Sequence, residues 1–187
     1  DVESLTKILN LLGVQVEARS SDHLIIDPTN IQNIDLVDDA VTKLRASYYF
    51  MGALLGRFGR VCMKMPGGCY LGPRPIDLHL KGFEALGAKV TYDKACYTIE
   101  AKELKGAKIF LDIASVGATI NIMMAAVYAK GRTTIENAAK REALVKFLLP
   151  LSAFPSVHRR GHLLCQTAKI SRIVLPQLRI PQHFSIM

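Results

Sequence analysis

The residue types that could do chemistry are concentrated in one stretch rich in Gly and Pro. Residues 66–79 read Pro-Gly-Gly-Cys-Tyr-Leu-Gly-Pro-Arg-Pro-Ile-Asp-Leu-His. The thiol of Cys69 stands five residues before the fixed positive charge of Arg74. Because nearby positive charge lowers the pKa of a thiol, Cys69 could react as a thiolate or deliver a proton to a carbon atom. The alternative is that Cys69 is a small apolar filler, which is the commoner role of a single cysteine.

Three other polar residues of this stretch could hold a ligand. Arg74 offers paired donors that suit a phosphate or carboxylate, although most arginines lie on a solvated face. Asp77 and His79 could orient a uracil, ribose or phosphate group, and Asp77 could equally cap a helix that begins near Leu78. The glycines leave the backbone free to close over a substrate, so the stretch is predicted to be a functional loop.

The elements that must position this loop occur twice. An apolar helix at the start of the chain stops at Gly13, and a hairpin pattern follows it. Residues 12–16 (Leu-Gly-Val-Gln-Val) are similar to residues 86–90 (Leu-Gly-Ala-Lys-Val), about 74 positions later. Residues 45–58 and 117–130 are both apolar helical segments rich in small residues, and each precedes a glycine and a strand. The sequence therefore predicts two copies of a unit that holds two helices and several strands.

Composition and charge divide the chain into two parts. With 187 residues, 50% hydrophobic and 21% charged, the chain is long and apolar enough for a globular core. Residues 1–139 carry 16 Lys and Arg against 15 Asp and Glu, whereas residues 140–187 carry 8 against one. We predict a domain at 1–139 and a basic tail at 140–187, in which neither a third unit nor an alternating hairpin is expected. The tail is interpreted as aberrant or out-of-frame sequence, with a genuine divergent extension as the alternative.

Cellular context and partners follow from what the sequence lacks. No run of eighteen apolar residues occurs, and the first residues lack the layout of a signal peptide, so we expect a cytoplasmic protein without a membrane partner. Four cysteines at spacings unlike zinc or disulfide frameworks predict free thiols and no metal. A nucleic-acid partner is supported only by the basic tail, without a stacking surface, and is not expected.

Five segments resemble one enzyme family. The string PGGCYLGPRPIDLH resembles the reactive loop of UDP-N-acetylglucosamine enolpyruvyl transferases. The segments LRASYYFMGALLGRFG, KGFEALGA, LKGA and SVGATINIMMAAVYAKGRTTIENAA are similar to flanking segments of that family, in the same order, over roughly residues 1–140. The resemblance implies a fold of the α/β class, an inside-out α/β barrel of repeated βαβαββ units, here as a truncated first domain. Residues 48–55 and 120–127 agree with it, because helices that are apolar on every side are buried.

The resemblance also implies an activity and a set of site residues. The family transfers the enolpyruvyl group of phosphoenolpyruvate to the 3-hydroxyl of UDP-N-acetylglucosamine, the first committed step of peptidoglycan synthesis, without a metal or an organic cofactor. Cys69 corresponds to the cysteine that attacks phosphoenolpyruvate, assists proton transfer and is alkylated by fosfomycin. Arg45 and Arg74 correspond to arginines that contact phosphoenolpyruvate, and Arg74 also reaches the diphosphate. The segments that hold the uridine end correspond to Pro75, Ile76, Asp77, Leu78 and His79, and to Ser115, Val116 and Gly117.

The sequence departs from the family pattern in two respects. Ile113 stands where some members carry a lysine, which removes one possible cation for the diphosphate. The family's N-terminal Lys-Asn pair and its second domain, with an aspartate base and a further arginine, have no counterpart in these residues. Since the reaction needs a base, a proton donor and several cations at one carbon, the chain by itself is expected to be inactive. A non-catalytic fragment that binds UDP-sugar is the alternative, and the oligomeric state is left open.

Overall fold

The computed structural model describes residues 1–20, 23–65 and 76–139, and the backbone of residues 153–158 and 162–167. The predicted site residues Cys69, Arg74 and Pro75 therefore lie outside the described residues, as does most of the predicted tail. The elements in chain order are α1 (Val2–Leu11), β1 (Gln15–Ser20), β2 (His23–Asp27), α2 (Asp39–Lys43), a 3₁₀ helix (Arg45–Tyr48), α3 (Tyr49–Phe58), β3 (Arg60–Lys64), α4 (Asp77–Ala85), β4 (Lys89–Asp93), β5 (Cys96–Glu100), β6 (Lys108–Phe110), α5 (Val116–Ala126), β7 (Arg132–Glu136), β8 (Ala153–His158) and β9 (His162–Thr167).

The predicted internal repeat is present in the backbone. Gly13 follows α1 with φ of +78°, and Gly87 follows α4 with φ of +92°. Gly59 and Gly131, which follow α3 and α5, also have positive φ, at +72° and +99°. Glycine adopts this left-handed conformation without steric cost, so each position turns the chain toward the next strand. Helix α5 ends at Ala126, well before Gly131, so the helix predicted over residues 117–130 is shorter than expected. The two copies therefore share their turns as well as their sequence pattern.

The helices lie inside and the sheets lie outside. Helix α5 packs against both α3 and α4. Most of α5 is buried, namely Ala118, Thr119, Asn121, Ile122, Met123, Ala125 and Ala126. By contrast, all but one of the residues in each of β1 and β4 are exposed. The inside-out arrangement predicted from the sequence is thus confirmed, since helices that are apolar on every side have no solvent-facing stripe.

The two larger sheets have the same strand order if the single bridge at Leu36 is counted as the first strand of the three-stranded sheet. In one, β5 lies between β3 and β4, and an isolated parallel bridge places Leu36 beside Met63 of β3. In the other, the order is β6-β7-β9-β8, with β6 parallel to β7 and the hairpin β8–β9 antiparallel to it. The expectation that no hairpin follows residue 139 is therefore wrong. Strand β8 contains Pro155 and lies at a sheet edge, where a missing N–H does not interrupt the ladder.

Two further expectations concern cysteines and membranes. Cys62 and Cys96 are free thiols, as predicted, while the other two cysteines lie outside the residues described at side-chain level. In the part of the chain that the structure describes, no helix has the length and apolarity needed to cross a bilayer.

Candidate active site

Arg45 is held by the tight turn that joins α2 to α3. Ser47 is fully buried, and its Oγ donates a hydrogen bond to the carbonyl of Val41 at 2.8 Å. This bond fixes the 3₁₀ helix, from whose first residue the partly exposed Arg45 side chain extends. The guanidinium carbon lies 5.9 Å from the centroid of the Tyr48 ring. A guanidinium over an aromatic face keeps its edge N–H groups directed outward, where they can bind an anion.

Helix α4 carries the second predicted segment. The helix begins at Asp77, and its N-cap residue is Ile76, so the alternative that Asp77 caps the helix is wrong. Asp77 is exposed, and its charge lies in the first turn, where a negative charge stabilises a helix. Leu78 packs against the core, and His79 is only 6% exposed. Ile76 and Leu78 thus anchor the start of the helix by apolar contact, and His79 faces the interior.

The third predicted segment forms the start of α5. Ser115 is the N-cap, and its Oγ accepts a hydrogen bond from the amide of Ala118 at 3.3 Å. Val116 and Gly117 are the first residues of the helix, so their amides have no acceptor in a preceding turn. Such a helix start suits an anionic group, because the amides and the helix dipole both favour negative charge. Ser115, Val116 and Gly117 thus open the helix.

The ring of Tyr48 brings the three segments together. It contacts the imidazole of His79 edge-on, with ring centroids 4.9 Å apart, and Arg45 lies over it. A Cβ added at Gly117 would stand only 2.8 Å from the Tyr48 hydroxyl oxygen. Arg45, His79 and Gly117 therefore meet around one aromatic ring. Tyr48 was not predicted as a site residue, although its position three residues after Arg45 in a 3₁₀ helix places both side chains on one side of that helix.

Asn121 holds this cluster from the core side and was also missed. Its side chain is fully buried in α5. Its Oδ1 accepts a hydrogen bond from the amide of Gly52 at 2.7 Å, and its Nδ2 donates to the carbonyl of Tyr48 at 2.8 Å. The same Nδ2 lies 2.9 Å from Nδ1 of His79. An amide side chain within an otherwise apolar helix was the available signal, because a buried polar group needs partners.

The cluster combines one cationic side chain, Arg45, with the uncharged imidazole of His79. Burial, more than any other cause, lowers the pKa of His79 to about 4; the nearby Asp77 opposes this shift, and Arg45 adds to it. The pKa of the Tyr49 phenol is raised, first by burial and then by a hydrogen bond with Tyr48. At neutral pH the site therefore presents the positive charge of Arg45 next to an uncharged imidazole and uncharged phenols.

One exposed ion pair links two of the segments. Lys81 of α4 contacts Asp112 at 2.7 Å, three residues before Ser115. Both side chains are about half exposed or more, so the pair contributes little to stability. Ile113, next to Asp112, is 71% exposed. The position at which some family members carry a lysine therefore faces solvent with an apolar side chain.

Comparison with known proteins identifies the class to which this fold belongs, that of enolpyruvyl (carboxyvinyl) transferases. The chain belongs to the EPSP synthase (3-phosphoshikimate 1-carboxyvinyltransferase) family, whose model matches residues 1–154. Two structures share the fold. The enolpyruvyl transferase NikO from Streptomyces tendae matches with a TM-score of 0.74 at 18% identity, over 89% of this chain and 40% of that one. EPSP synthase from Acinetobacter baumannii matches with a TM-score of 0.68 at 17% identity, over 89% and 39%.

Relatives with much higher sequence identity carry one name. UDP-N-acetylglucosamine 1-carboxyvinyltransferase 2 of Bacillus anthracis is 54% identical over 145 residues, which are 78% of this chain and 34% of the relative. The protein of the same name from Listeria monocytogenes serovar 1/2a is 58% identical over the same shares. The chain thus spans about a third of the length of the curated relatives that it matches.

Proposed function

We propose that this chain supplies one side of an active site that transfers the enolpyruvyl group of phosphoenolpyruvate to the 3-hydroxyl of UDP-N-acetylglucosamine, which commits the sugar to peptidoglycan. The observation that carries the proposal is the meeting of Arg45, His79 and Gly117 around Tyr48. These residues come from three segments far apart in the sequence, and each segment resembles the family at the positions that bind its substrates. The chain spans about a third of its relatives, so the complete reaction is a proposal for the whole protein.

In the proposal, each part of the cluster has its own ligand group. The start of α5, at Val116 and Gly117, receives the diphosphate through backbone amides. Arg45 binds the carboxylate or phosphate of phosphoenolpyruvate through its outward N–H groups. Asp77 and His79 lie at the start of α4, where they contact the uridine end. The uncharged imidazole can donate a hydrogen bond there without adding a second cation.

The reacting thiol of the proposal is Cys69. In that role the methylene carbon C3 of phosphoenolpyruvate is protonated with the help of the thiol, which adds reversibly to C2. The sugar oxygen, having lost its proton, then bonds to C2 as the thiolate leaves. Loss of a proton from C3 restores the double bond while phosphate leaves from C2. Arg74, five residues further on, is proposed as the second anion clamp. Cys69, Arg74 and Pro75 lie outside the described residues, so their roles depend on the resemblance of the loop. The proposal requires no metal or organic cofactor, and it implies a cytoplasmic protein without a nucleic-acid partner.

The sequence relatives favour UDP-N-acetylglucosamine over shikimate phosphate as the acceptor. The relatives that are 54–58% identical are named for the nucleotide sugar. The EPSP synthase structure shares the fold at only 17% identity, and fold alone does not define a substrate. The loop at residues 66–79 likewise resembles the enzymes that act on the nucleotide sugar.

Fosfomycin alkylation followed by intact-mass spectrometry tests the proposal. We expect a single adduct that maps to Cys69 and forms faster when UDP-N-acetylglucosamine is present. Cys69→Ser should lose the adduct, whereas Cys96→Ser, which removes a partly exposed thiol on β5, should keep it. No adduct, in a chain whose thiols still react with a general alkylating reagent, would overturn the proposed role of Cys69.

A second candidate is binding of the nucleotide sugar without turnover. It needs an anion site such as the Ser115-capped start of α5, and it needs no reacting thiol. Calorimetry with UDP-N-acetylglucosamine, followed by a phosphate assay after phosphoenolpyruvate is added, separates the two functions. Binding heat with phosphate release supports the enzyme, and binding heat without release supports the binding fragment.

A further inference from the structure

The side-chain amide of Asn121 has an orientation that chemistry alone fixes. A backbone N–H can only donate a hydrogen bond, so the oxygen of the amide must face Gly52, 2.7 Å away. A backbone carbonyl can only accept, so the nitrogen of the amide must face the carbonyl of Tyr48, 2.8 Å away. Exchanging the two atoms would place two donors together on one side and two acceptors together on the other. The oxygen and the nitrogen of the Asn121 amide therefore cannot exchange places.

This orientation determines which nitrogen of His79 carries the proton. The amide nitrogen of Asn121 lies 2.9 Å from Nδ1 of His79, and it has a second hydrogen that can point at this ring nitrogen. Because that nitrogen of Asn121 has no acceptor capacity, Nδ1 must receive the hydrogen bond through its lone pair. Nδ1 is then unprotonated, and the single proton of the neutral ring lies on Nε2. Protonating Nδ1 would bring two N–H donors face to face in a buried site.

The other groups around the imidazole favour the same uncharged state. His79 is 6% exposed, and the Tyr48 ring packs edge-on against it. The charged groups that act on it are Arg45 from the 3₁₀ helix, which disfavours a second cation, and Asp77 from its own helix, which favours one. Burial outweighs the carboxylate, because Asp77 is exposed and screened by solvent.

We infer that Asn121 is a positioning residue that holds His79 as the neutral Nε2–H tautomer, so that His79 offers one uncharged hydrogen-bond donor to an oxygen of the nucleotide sugar. Nε2 lies on the far side of the ring from Asn121, so the fixed tautomer directs the only N–H of the ring away from that amide. The contact with the sugar nucleotide rests on the proposed function. The tautomer does not, because it follows from protein contacts alone.

Nitrogen-15 NMR of the imidazole groups of the full chain, without ligand, tests the tautomer. The signals of His79 are assigned by their loss in His79→Gln. In the wild type we expect a protonated Nε2, an unprotonated Nδ1 and no titration near the ordinary pKa of about 6.5. A proton on Nδ1 of the wild type would overturn the inference, whether or not any variant folds.

Asn121→Asp tests whether the amide causes this state. A carboxylate next to Nδ1 accepts rather than donates, so the variant should protonate Nδ1 and raise the pKa of His79. Asn137→Asp is the matched control, because Asn137 donates to the carbonyl of Leu111 and has no contact with His79 among its described hydrogen bonds. The control should keep the wild-type signals. An unchanged pattern in folded Asn121→Asp would show that the amide does not set the tautomer.

Calorimetry with UDP-N-acetylglucosamine on the same three proteins tests the role in binding. Asn121→Asp should weaken the affinity about 10-fold, which is the loss expected when one hydrogen bond to the ligand is misplaced. It should also add a pH dependence between about pH 6 and about pH 8, which the wild type and Asn137→Asp lack. If the wild type shows the expected tautomer but no heat of binding, the proposed function fails while the role of Asn121 in fixing His79 stands.

Discussion

At the scale of single residues, Tyr48 is the side chain on which the site depends. Its ring contacts a guanidinium and an imidazole, and its hydroxyl lies against the first turn of α5. An aromatic side chain with two rotatable bonds fixes such neighbours at low entropic cost. The spacing between Arg45, His79 and Gly117 is therefore set by a residue that we assign no direct role in the reaction.

Removing the Tyr48 ring should weaken substrate binding. We expect Tyr48→Ala to lower the affinity for UDP-N-acetylglucosamine about 10-fold or more, since misplacing several binding groups by about 1 Å costs that much. Tyr48→Phe keeps the ring and should stay within about threefold of the wild type, because only the hydrogen bond with Tyr49 is lost. Calorimetry measures both affinities. Tyr92→Ala, at a 59% exposed position of β4, is the control, and equal affinities for Tyr48→Ala and this control would contradict the account.

The low pKa of His79 should make stability depend on pH. The unfolded chain takes up this proton at about the ordinary value of 6.5, whereas the folded chain takes it up only at about pH 4. As the pH falls between these values, the unfolded state binds more protons, so the folded state loses free energy on the order of 3 kcal/mol. Urea unfolding at several pH values measures this loss. His79→Gln should flatten the profile in this window, and His23→Gln, on β2, should not; equal slopes in both variants would contradict the assignment.

A site residue could be predicted from the sequence only where its signal is local. Arg45, His79 and Gly117 lie in contiguous strings that resemble a family, so they were predicted. Tyr48 and Asn121 act through contacts between residues 42 to 73 positions apart, such as the bonds from Asn121 to the Tyr48 carbonyl and to His79. No local pattern encodes which buried amide meets which imidazole, so these two residues were found only in the structure.

At the scale of elements, the approach of α3 to α5 places Asn121 within reach of the 3₁₀ helix. A Cβ added at Gly52 would lie 2.2 Å from the backbone oxygen of Asn121, and one added at Gly56 would lie 2.6 Å from the ring of Tyr128. Both distances are shorter than any real contact, so the absence of side chains at these glycines permits the packing. The helix pair thus depends on two small residues of α3.

Gly52→Ala should destabilise the protein although it improves helix propensity. An alanine within a helix normally gains about 1 kcal/mol over glycine. Here the added methyl group meets the backbone of α5, and overpacking of this kind costs about 3 kcal/mol or more. Chemical denaturation measures the net loss, and the Asn121 bond to the Gly52 amide should weaken with it.

The control for this prediction is Gly131→Ala. Nothing lies within 4 Å of a Cβ at that position, so only the strain of its positive φ, of about 1 kcal/mol, is expected. A Gly52→Ala variant that is as stable as the wild type would mean that the two helices are not held at this distance.

The elements themselves were predictable to different extents. The helices that are apolar on every side were found from the sequence, because this signal is local. The glycine that follows α3 marks its end, whereas α5 ends at Ala126, before Gly131. The hairpin β8–β9 was not, since it has no counterpart to the repeated Leu-Gly motif and carries Pro155. Its place in the sheet, next to β7, depends on pairing between distant segments, and this pairing has no signature within either strand.

At the scale of the whole molecule, the described ion pairs contribute little to the stability of the fold. The described ion pairs join surface side chains, and each includes at least one side chain that is more than a third exposed. Pairs of this kind are screened by salt and contribute little. The buried apolar cluster between the helices and sheets therefore accounts for most of the stability.

Stability should accordingly respond to acid but hardly to salt. We expect the urea midpoint at neutral pH to change little between about 0.1 M and about 1 M sodium chloride, apart from the general salting-out effect. Hydrogen bonds from cationic side chains hold the pKa values of Asp35, Asp39 and Asp112 below the ordinary value of 3.8. Their contribution is present above that value and is lost as the pH falls through the lowered pKa values.

A lysine variant provides the control for the salt experiment. Lys81→Met removes the exposed pair with Asp112 and should leave the urea midpoint nearly unchanged. A large loss of stability in this variant, or a steep fall of the wild-type midpoint with salt, would mean that surface charge contributes more to stability than the burial of these side chains indicates.

Similarity of fold and similarity of sequence support different conclusions about this chain. Structures with 17–18% identity show the fold alone, whereas the family is shown by the model that matches residues 1–154. The acceptor sugar is proposed from the local strings, because they carry the residues that would touch it. The fold could therefore be predicted from the internal repeat and the family resemblance together, whereas the arrangement of the site residues around Tyr48 was found only in the structure.

The central claim is that the cluster around Tyr48 binds UDP-N-acetylglucosamine, and an NMR titration of the nitrogen-15-labelled chain with this ligand tests it most directly. We expect the largest shifts at the amides of Val116 and Gly117 and at the imidazole of His79. His79→Gln should abolish the side-chain signal and weaken binding, whereas His23→Gln, which alters a histidine on β2, should leave binding unchanged. Saturable shifts confined to other parts of the chain, or no shifts at millimolar ligand, would contradict the claim.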